Sequence, residues 1–203
     1  MSSVALKSYI TPEQYLELEE KSEARHEYYR GEMNELGPCE VQHSQIGLNL
    51  LRSLGNQLED QPFEVFKSAM RVLVKATGLY IYPDLIVARV PTIFDDPRKT
   101  SLLNPTVIIE VLSESNELYD RTVKFDHYKQ IESLREYVLV SQDHLHVDCF
   151  TRAEEGWILR SWDKLEDVLP LDSIGCQVPL AKIYAKVELR DESSFRFPRE
   201  MSD

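Results

Sequence analysis

Apolar positions along the chain recur with a period near 3.6 in some stretches, with a period of 2 in others, and as short unbroken runs in a third set. From about His43 to Leu58, Ile46, Leu50, Leu54 and Leu58 stand four apart with Leu51 beside them, which predicts an amphipathic helix of about four turns. Phe63 to Lys75 and Leu79 to Arg89 are rich in Val, Ile, Tyr and Phe, and predict strands joined as a hairpin near Ala76-Thr77-Gly78. Thr106 to Leu112 is nearly all apolar and so reads as a central strand, with Tyr137 to Ser141 a second buried one. Between them the pattern predicts a helix from Asp120, as N-cap, to about Glu132. His146 to Phe150 and Trp157 to Trp162 predict an antiparallel pair turning at Glu154-Glu155-Gly156.

The ends carry local signals. Thr11-Pro12-Glu13-Gln14 combines a capping threonine, proline at the first helical position and glutamine three residues past the cap, so a short helix should run to about Lys21. Glu27 to Met33 alternates around Gly31, as a hairpin or a bent strand does. Thr92 to Asn104 reads as an exposed loop, Pro179 to Val187 as a helix, and the polar C-terminus as a frayed tail. The order predicts an α/β arrangement on one mixed sheet: a helix-strand-strand-strand-helix-strand core over about 43–141, with an N-terminal helix and hairpin and a C-terminal β extension. At 203 residues and 42% apolar content, one domain over 1–203 is expected.

Composition removes several classes. No apolar stretch approaches the roughly 20 residues that span a bilayer, and no signal-peptide pattern opens the chain, so a cytoplasmic protein is expected. Cys39, Cys149 and Cys176 are unpaired in spacing and predict reduced thiols. A net charge of -12 works against nucleic-acid binding. Yet Lys67 to Lys75, Arg89, Arg98, Lys99, Arg121, Lys124 and Lys129 gather near the middle of the chain, which leaves room for a positive cleft on an acidic body.

The chemistry concentrates between Tyr80 and Tyr128. Asp84 and Glu110 each interrupt an apolar run, and an ionised carboxylate in such a place is costly unless a cation or several donors satisfy it. If the two strands are neighbours, their carboxylates converge on an oxygen-lined site suited to magnesium or manganese. Arg121, Lys124 and Tyr128 are spaced to share one helix face, from which Lys124 can reach back to the acids.

Pro83-Asp84, then Glu110-Val111-Leu112-Ser113, then Asp120-Arg121 with Lys124 and Tyr128, then Glu136-Tyr137, resembles the Uma-type family of restriction-endonuclease-like proteins, a branch of the PD-(D/E)XK nuclease superfamily. Glu27-Tyr28-Tyr29-Arg30-Gly31-Glu32 and His43 add to the resemblance, which covers roughly Thr11 to Lys186. It implies a restriction-endonuclease-like fold and a metal-dependent endonuclease acting on DNA phosphodiesters. Asp84 and Glu110 would be metal ligands, the backbone carbonyl of Val111 a third candidate, and Asp84, Glu110 and Lys124 the catalytic set. The cofactor would be Mg2+ or Mn2+, and a homodimer would serve two-strand cleavage. One departure stands out: the superfamily places lysine two residues after the second acid, where this chain has Leu112, so Lys124 must act from the adjacent helix.

Each residue also has a plainer role. Asp84 suits a strand end, and Lys124 a solvated helix. Arg121 either binds a phosphate or pairs with Asp120 or Glu117. Tyr128 bonds within the site or packs in the core; Glu27 and Glu32 add a ligand or serve the bend; His43 contacts substrate or caps its helix. Cys39 and His43 have a loose metal-ligand spacing, but two ligands do not make a site. Trp157 and Trp162 stack on bases, pack, or join subunits. Two other functions compete with cleavage: a catalytically inactive nuclease-fold protein that binds nucleic acid or protein, and a homodimeric scaffold with a vestigial site.

Overall fold

A computed structural model describes residues 9–190 except Ser115; the polar C-terminal tail lies outside the described residues. The elements are α1 (Pro12–Lys21), β1 (His26–Tyr29), β2 (Glu32–Glu35), α2 (Val41–Leu58), β3 (Phe63–Lys67), β4 (Arg71–Val74), β5 (Leu79–Ile81), β6 (Leu85–Arg89), β7 (Ser101–Leu102) and β8 (Pro105–Leu112). A helix in three parts follows: α3 (Glu117–Tyr119), a π turn (Asp120–Lys124) and α4 (Phe125–Tyr128). Then come β9 (Glu136–Ser141), β10 (Val147–Ala153), β11 (Gly156–Trp162), β12 (Val168–Leu171), β13 (Cys176–Pro179) and α5 (Leu180–Ile183). Among the described residues no helix is long and apolar enough to cross a membrane.

The central sheet has six strands in the order β11-β10-β9-β8-β6-β3, and its β8–β9 pair is parallel while the others are antiparallel. β8 lies inside this sheet, as its nearly all-apolar run requires. Its side chains alternate between two cores. Val107, Ile109 and Val111 pack with Leu85, Val87 and the Ile46-Leu50-Leu54-Leu58 stripe of α2. Ile108 and Leu112 pack on the opposite face with Ile86, Ala88, Phe125, Tyr128, Tyr137 and Leu139. Each buried aliphatic side chain of the α2 stripe is worth about 1.5–3 kcal/mol. The period of two puts Glu110 on the face of Ile108 and Leu112, and Asp84 on that of Ile86 and Ala88.

Several expectations need revision. The strands do not form one sheet: a second, five-stranded sheet runs β2-β1-β5-β4-β7, and β12 and β13 pair as a small ribbon. Phe63 to Lys75 is two strands, because the turn around Ser68-Ala69-Met70 carries β4 into the second sheet while β3 stays in the first. Leu79 to Arg89 divides too: Pro83, which has no N–H for a ladder, marks the crossing from β5 to β6 and leaves Asp84 at the mouth of β6. The 117–128 helix starts three residues before Asp120, so Asp120 is an interior residue and not the N-cap. The C-terminal helix is one short turn, α5. The Thr92–Asn104 loop contains the two-residue strand β7.

The N-terminal signals hold in detail. Thr11 and Gln14 form a reciprocal capping box. Arg30 and Gly31 have positive φ, 47° and 89°, as a tight hairpin turn demands, and a Cβ at Gly31 would run into the Tyr9 ring. Tyr15, Tyr28 and Tyr80 pack with ring centroids 4.9–6.0 Å apart, and Tyr15 OH donates to the His26 carbonyl at 2.7 Å. This cluster fixes α1 and β1, and with them Glu27, against the body. The described cysteines are all free.

Candidate functional site

The antiparallel register pairs Leu85 with Ile109, so the residues just outside that pair, Asp84 and Glu110, meet at the end of the β6–β8 ladder. Their contacts are reciprocal: Val111 N donates to Asp84 Oδ2 at 2.8 Å, and Asp84 N to Glu110 Oε2 at 3.3 Å. In a strand the N–H and C=O of one residue point the same way. The Val111 carbonyl therefore faces the gap where β6 has stopped, beside Asp84. These two carboxylates converge on one side of the sheet, as the strand pattern requires.

Lys124 leans over them from the π turn. Its Nζ lies 2.9 Å from Asp120 Oδ1, 3.4 Å from Glu110 Oε1 and 3.5 Å from Glu27 Oε1. The residue is only 7% exposed, so these charges meet in a poorly hydrated setting. Tyr128, one turn on, donates its hydroxyl to Glu110 Oε1 at 2.8 Å. On the solvent side, His43 in the first turn of α2 sets Nε2 3.1 Å from Asp84 Oδ2, with Nδ1 2.9 Å from Cys39 Sγ. Cys39 and His43 thus sit on the site through Asp84; the two-ligand metal reading finds no third partner among the described residues.

Negative charge exceeds positive here, and the acidities respond. Burial pushes the Glu110 carboxyl up to about 8, with Asp120 and Asp84 adding repulsion and Lys124 pulling the other way. Glu27 and Asp120 are likewise raised, first by burial, against the attraction of Lys124. Burial disfavours the Lys124 ammonium, yet Glu110, Asp120 and Glu27 together hold its pKa well above the ordinary lysine range.

Asp120 and Glu27 are the members that sequence reasoning undervalued. Asp120 is fully buried, with Oδ1 2.9 Å from the Lys124 ammonium as its polar partner and no donor on Oδ2. Glu27 Oε1 is also buried without a donor. The i,i+4 spacing of Asp120 and Lys124 was the available signal.

The remaining candidates separate. Arg121 turns away from the site: it binds Glu117 at 2.7 Å and the buried Asp148 at 2.5 Å, which corrects the phosphate reading and settles its partner as Glu117 over Asp120. The π turn explains the departure, since its wider winding takes Arg121 off the face shared by Lys124 and Tyr128. Glu32 is exposed on β2 opposite Tyr29 and does not line the cleft. Trp157 packs on Phe125 and under the Arg152 guanidinium, and Trp162 against the α2-side core, so both serve packing.

The site opens into a cleft of about 660 Å³ lined by Asp84, Glu110, Lys124, Glu27, His43, Tyr119 and Gln142 among others. Among the described residues the positive cleft does not form: six carboxylates and three Lys or Arg side chains line it. Elsewhere Lys75, Arg98 and Lys129 are already paired with Asp95, Glu20 and Asp126. The donor set of Asp84, Glu110 and the Val111 carbonyl is all oxygen, with His43 beside it, and the buried carboxylate oxygens without a hydrogen bond lie next to it on Glu27 and Asp120. Among the described residues no group of three or more His, Cys, Asp or Glu side chains is placed to hold a metal ion, so side chains alone supply at most two ligands. That combination fits a hard divalent ion held by one or two carboxylates and a carbonyl, with places left for water and a phosphate oxygen.

Fold and site together define a class: restriction-endonuclease-like proteins, with two acids at adjacent strand ends and a helix-borne lysine. A solved structure described as a putative nuclease belonging to DUF820, from Anabaena variabilis, matches with TM-score 0.72 at 18% identity, over 86% of this chain and 97% of that one. Two proteins of Synechocystis are similar in sequence. The uncharacterized protein sll1609 is 31% identical over 78% of this chain and 90% of its own length; slr1290 is 32% identical over 86% and 91%. The Uma2 family model, described as "Putative restriction endonuclease", matches residues 12–181, and the chain belongs to that family.

Proposed function

We propose that this protein is a divalent-metal-dependent endonuclease that hydrolyses DNA phosphodiester bonds at the cleft formed by Asp84, Glu110 and Lys124. The observation that carries the reading is the meeting of Asp84 and Glu110 at one strand end with the buried Lys124 ammonium 3.4 Å from Glu110. Asp84, Glu110 and the Val111 carbonyl are the groups that would hold magnesium or manganese. Bound there, the ion would polarise the phosphodiester and offset charge developing in the transition state.

The chain's own groups divide the remaining work. Tyr128 fixes the Glu110 carboxylate, and His43 with the Val111 amide fixes Asp84. Glu27 and Asp120 keep Lys124 charged, so that its ammonium can orient a water or meet a phosphate oxygen. A pair of copies would supply the two sites that a double-strand cut calls for. The test is incubation of the purified protein with plasmid and single-stranded DNA in magnesium or manganese, beside Asp84→Ala. Metal-dependent cutting that the substitution abolishes is expected; cutting that survives it would refute the assignment.

The excess of acids lining the cleft favours a second reading, a nuclease fold that binds without cleaving. Calorimetry separates the two: uptake of a divalent ion that Asp84→Ala removes supports hydrolysis, and a retained partner without metal uptake supports binding alone.

A further inference from the structure

Gln142 follows β9 directly, one strand beyond Glu110, at the strand ends where α/β sheets present their ligands. Its residue is 1% exposed, yet it lines the same cleft as Asp84, Glu110 and Lys124. The backbone amide donates to the Leu112 carbonyl at 3.1 Å, and side-chain Nε2 donates to Glu40 Oε2 at 2.9 Å. The other side-chain atom, Oε1, is buried with no hydrogen-bond partner. Glu40 fixes this orientation: a carboxylate accepts only from the amide nitrogen, and a flipped amide would set oxygen against oxygen.

A buried acceptor left unmet disfavours folding, and because Gln142 borders the cleft, a donor on a substrate seated there is one group that can meet it. A phosphodiester carries no hydrogen-bond donor. The nucleoside does, at amino or imino groups of each base and, in RNA, at the 2′-hydroxyl. We infer that Gln142 is a specificity-determining residue that accepts a hydrogen bond from the nucleoside portion of the substrate, while the acids and Lys124 handle the phosphate. The inference rests on the nucleic-acid reading above and adds to it a contact by which the cleft discriminates among substrates.

Fluorescence anisotropy tests it with short labelled oligonucleotides of equal length, oligo(dA), oligo(dC), oligo(dT), an abasic strand and oligo(rA), in calcium as the hard divalent ion. For the wild type we expect binding about five- to tenfold tighter to base-bearing than to abasic strands, the worth of one hydrogen bond. Gln142→Leu should erase that preference, leave abasic binding unchanged, and melt at or above the wild-type temperature. If the lost preference is instead oligo(rA) over oligo(dA), the donor is the 2′-hydroxyl and the inference stands. Equal wild-type affinity for abasic and base-bearing strands, with no preference for oligo(rA) over oligo(dA), overturns it. So does uniform weakening of all strands by Gln142→Leu with a lower melting temperature, which marks a structural role; Gln142→Met repeats the test if the leucine variant does not fold. Binding of no oligonucleotide by either protein removes the nuclease reading itself, a different outcome from either of these.

Discussion

Replacing Glu110 by glutamine should stabilise the metal-free protein, and only at neutral to alkaline pH. The folded state holds the Glu110 proton more tightly than the unfolded chain, with the carboxyl raised from 4.5 to about 8 by burial and by Asp120 and Asp84. Ionisation therefore takes stability away as pH climbs through that window, and below it the group is protonated in both states. The full shift corresponds to about 5 kcal/mol at about 1.4 kcal/mol per pH unit. The Lys124 attraction is already counted in that shift, and while an amide keeps the Tyr128 bond, the orientation that does so gives up the bond from the Asp84 amide and sets N–H against N–H. Those losses return part of the gain, leaving about 2–4 kcal/mol at pH 8 and none near pH 5. Thermal melts in EDTA read this directly, as a rise of about 5–12 °C at pH 8 that disappears at pH 5. Magnesium should then raise the wild-type melting temperature and leave Glu110→Gln unmoved. A variant that is less stable than wild type at pH 8, or a difference that does not change with pH, would refute the electrostatic account of the site.

Other substitutions probe the neighbours. Lys124→Met should destabilise the metal-free protein by about 3–5 kcal/mol in urea titrations, because it leaves Glu110, Glu27 and Asp120 buried without their cation, and it should abolish cleavage. Tyr128→Phe removes a donor that favours the ionised Glu110, so its pKa should rise further and calorimetry near pH 7 should find divalent-ion affinity about tenfold weaker. Arg121→Ala should lower stability by about 1–3 kcal/mol through its partly exposed pairing with Asp148, and leave metal affinity unchanged.

Much of this site is legible in the chain because its determinants are local. Thr11 and Gln14 announce α1, the four-residue spacing of Ile46 to Leu58 announces α2, and Glu110 inside an apolar run announces a buried charge in need of a partner. The parity of Asp84 and Glu110 with their apolar neighbours places both on one face. What escaped depends on contacts distant in sequence. Glu27 reaches Lys124 only because the Tyr15-Tyr28-Tyr80 cluster docks β1 against the body. Residues 63–75 look like one strand because periodicity does not say which sheet a strand joins, and the Ser68-Ala69-Met70 turn decides it. Asp120 has the composition of a cap, but the helix begins earlier and makes it a buried counter-charge. The π turn redirects Arg121, and no residue pattern in that stretch signals the extra width.

The most direct test of the central claim is a crystal soaked in manganese and measured near the manganese absorption edge. Anomalous density bounded by the Asp84 and Glu110 carboxylates and the Val111 carbonyl, with Lys124 beside it, is the result expected. Density confined to the protein surface, or none in the cleft at saturating manganese, would contradict a shared divalent ion and the hydrolytic role built on it.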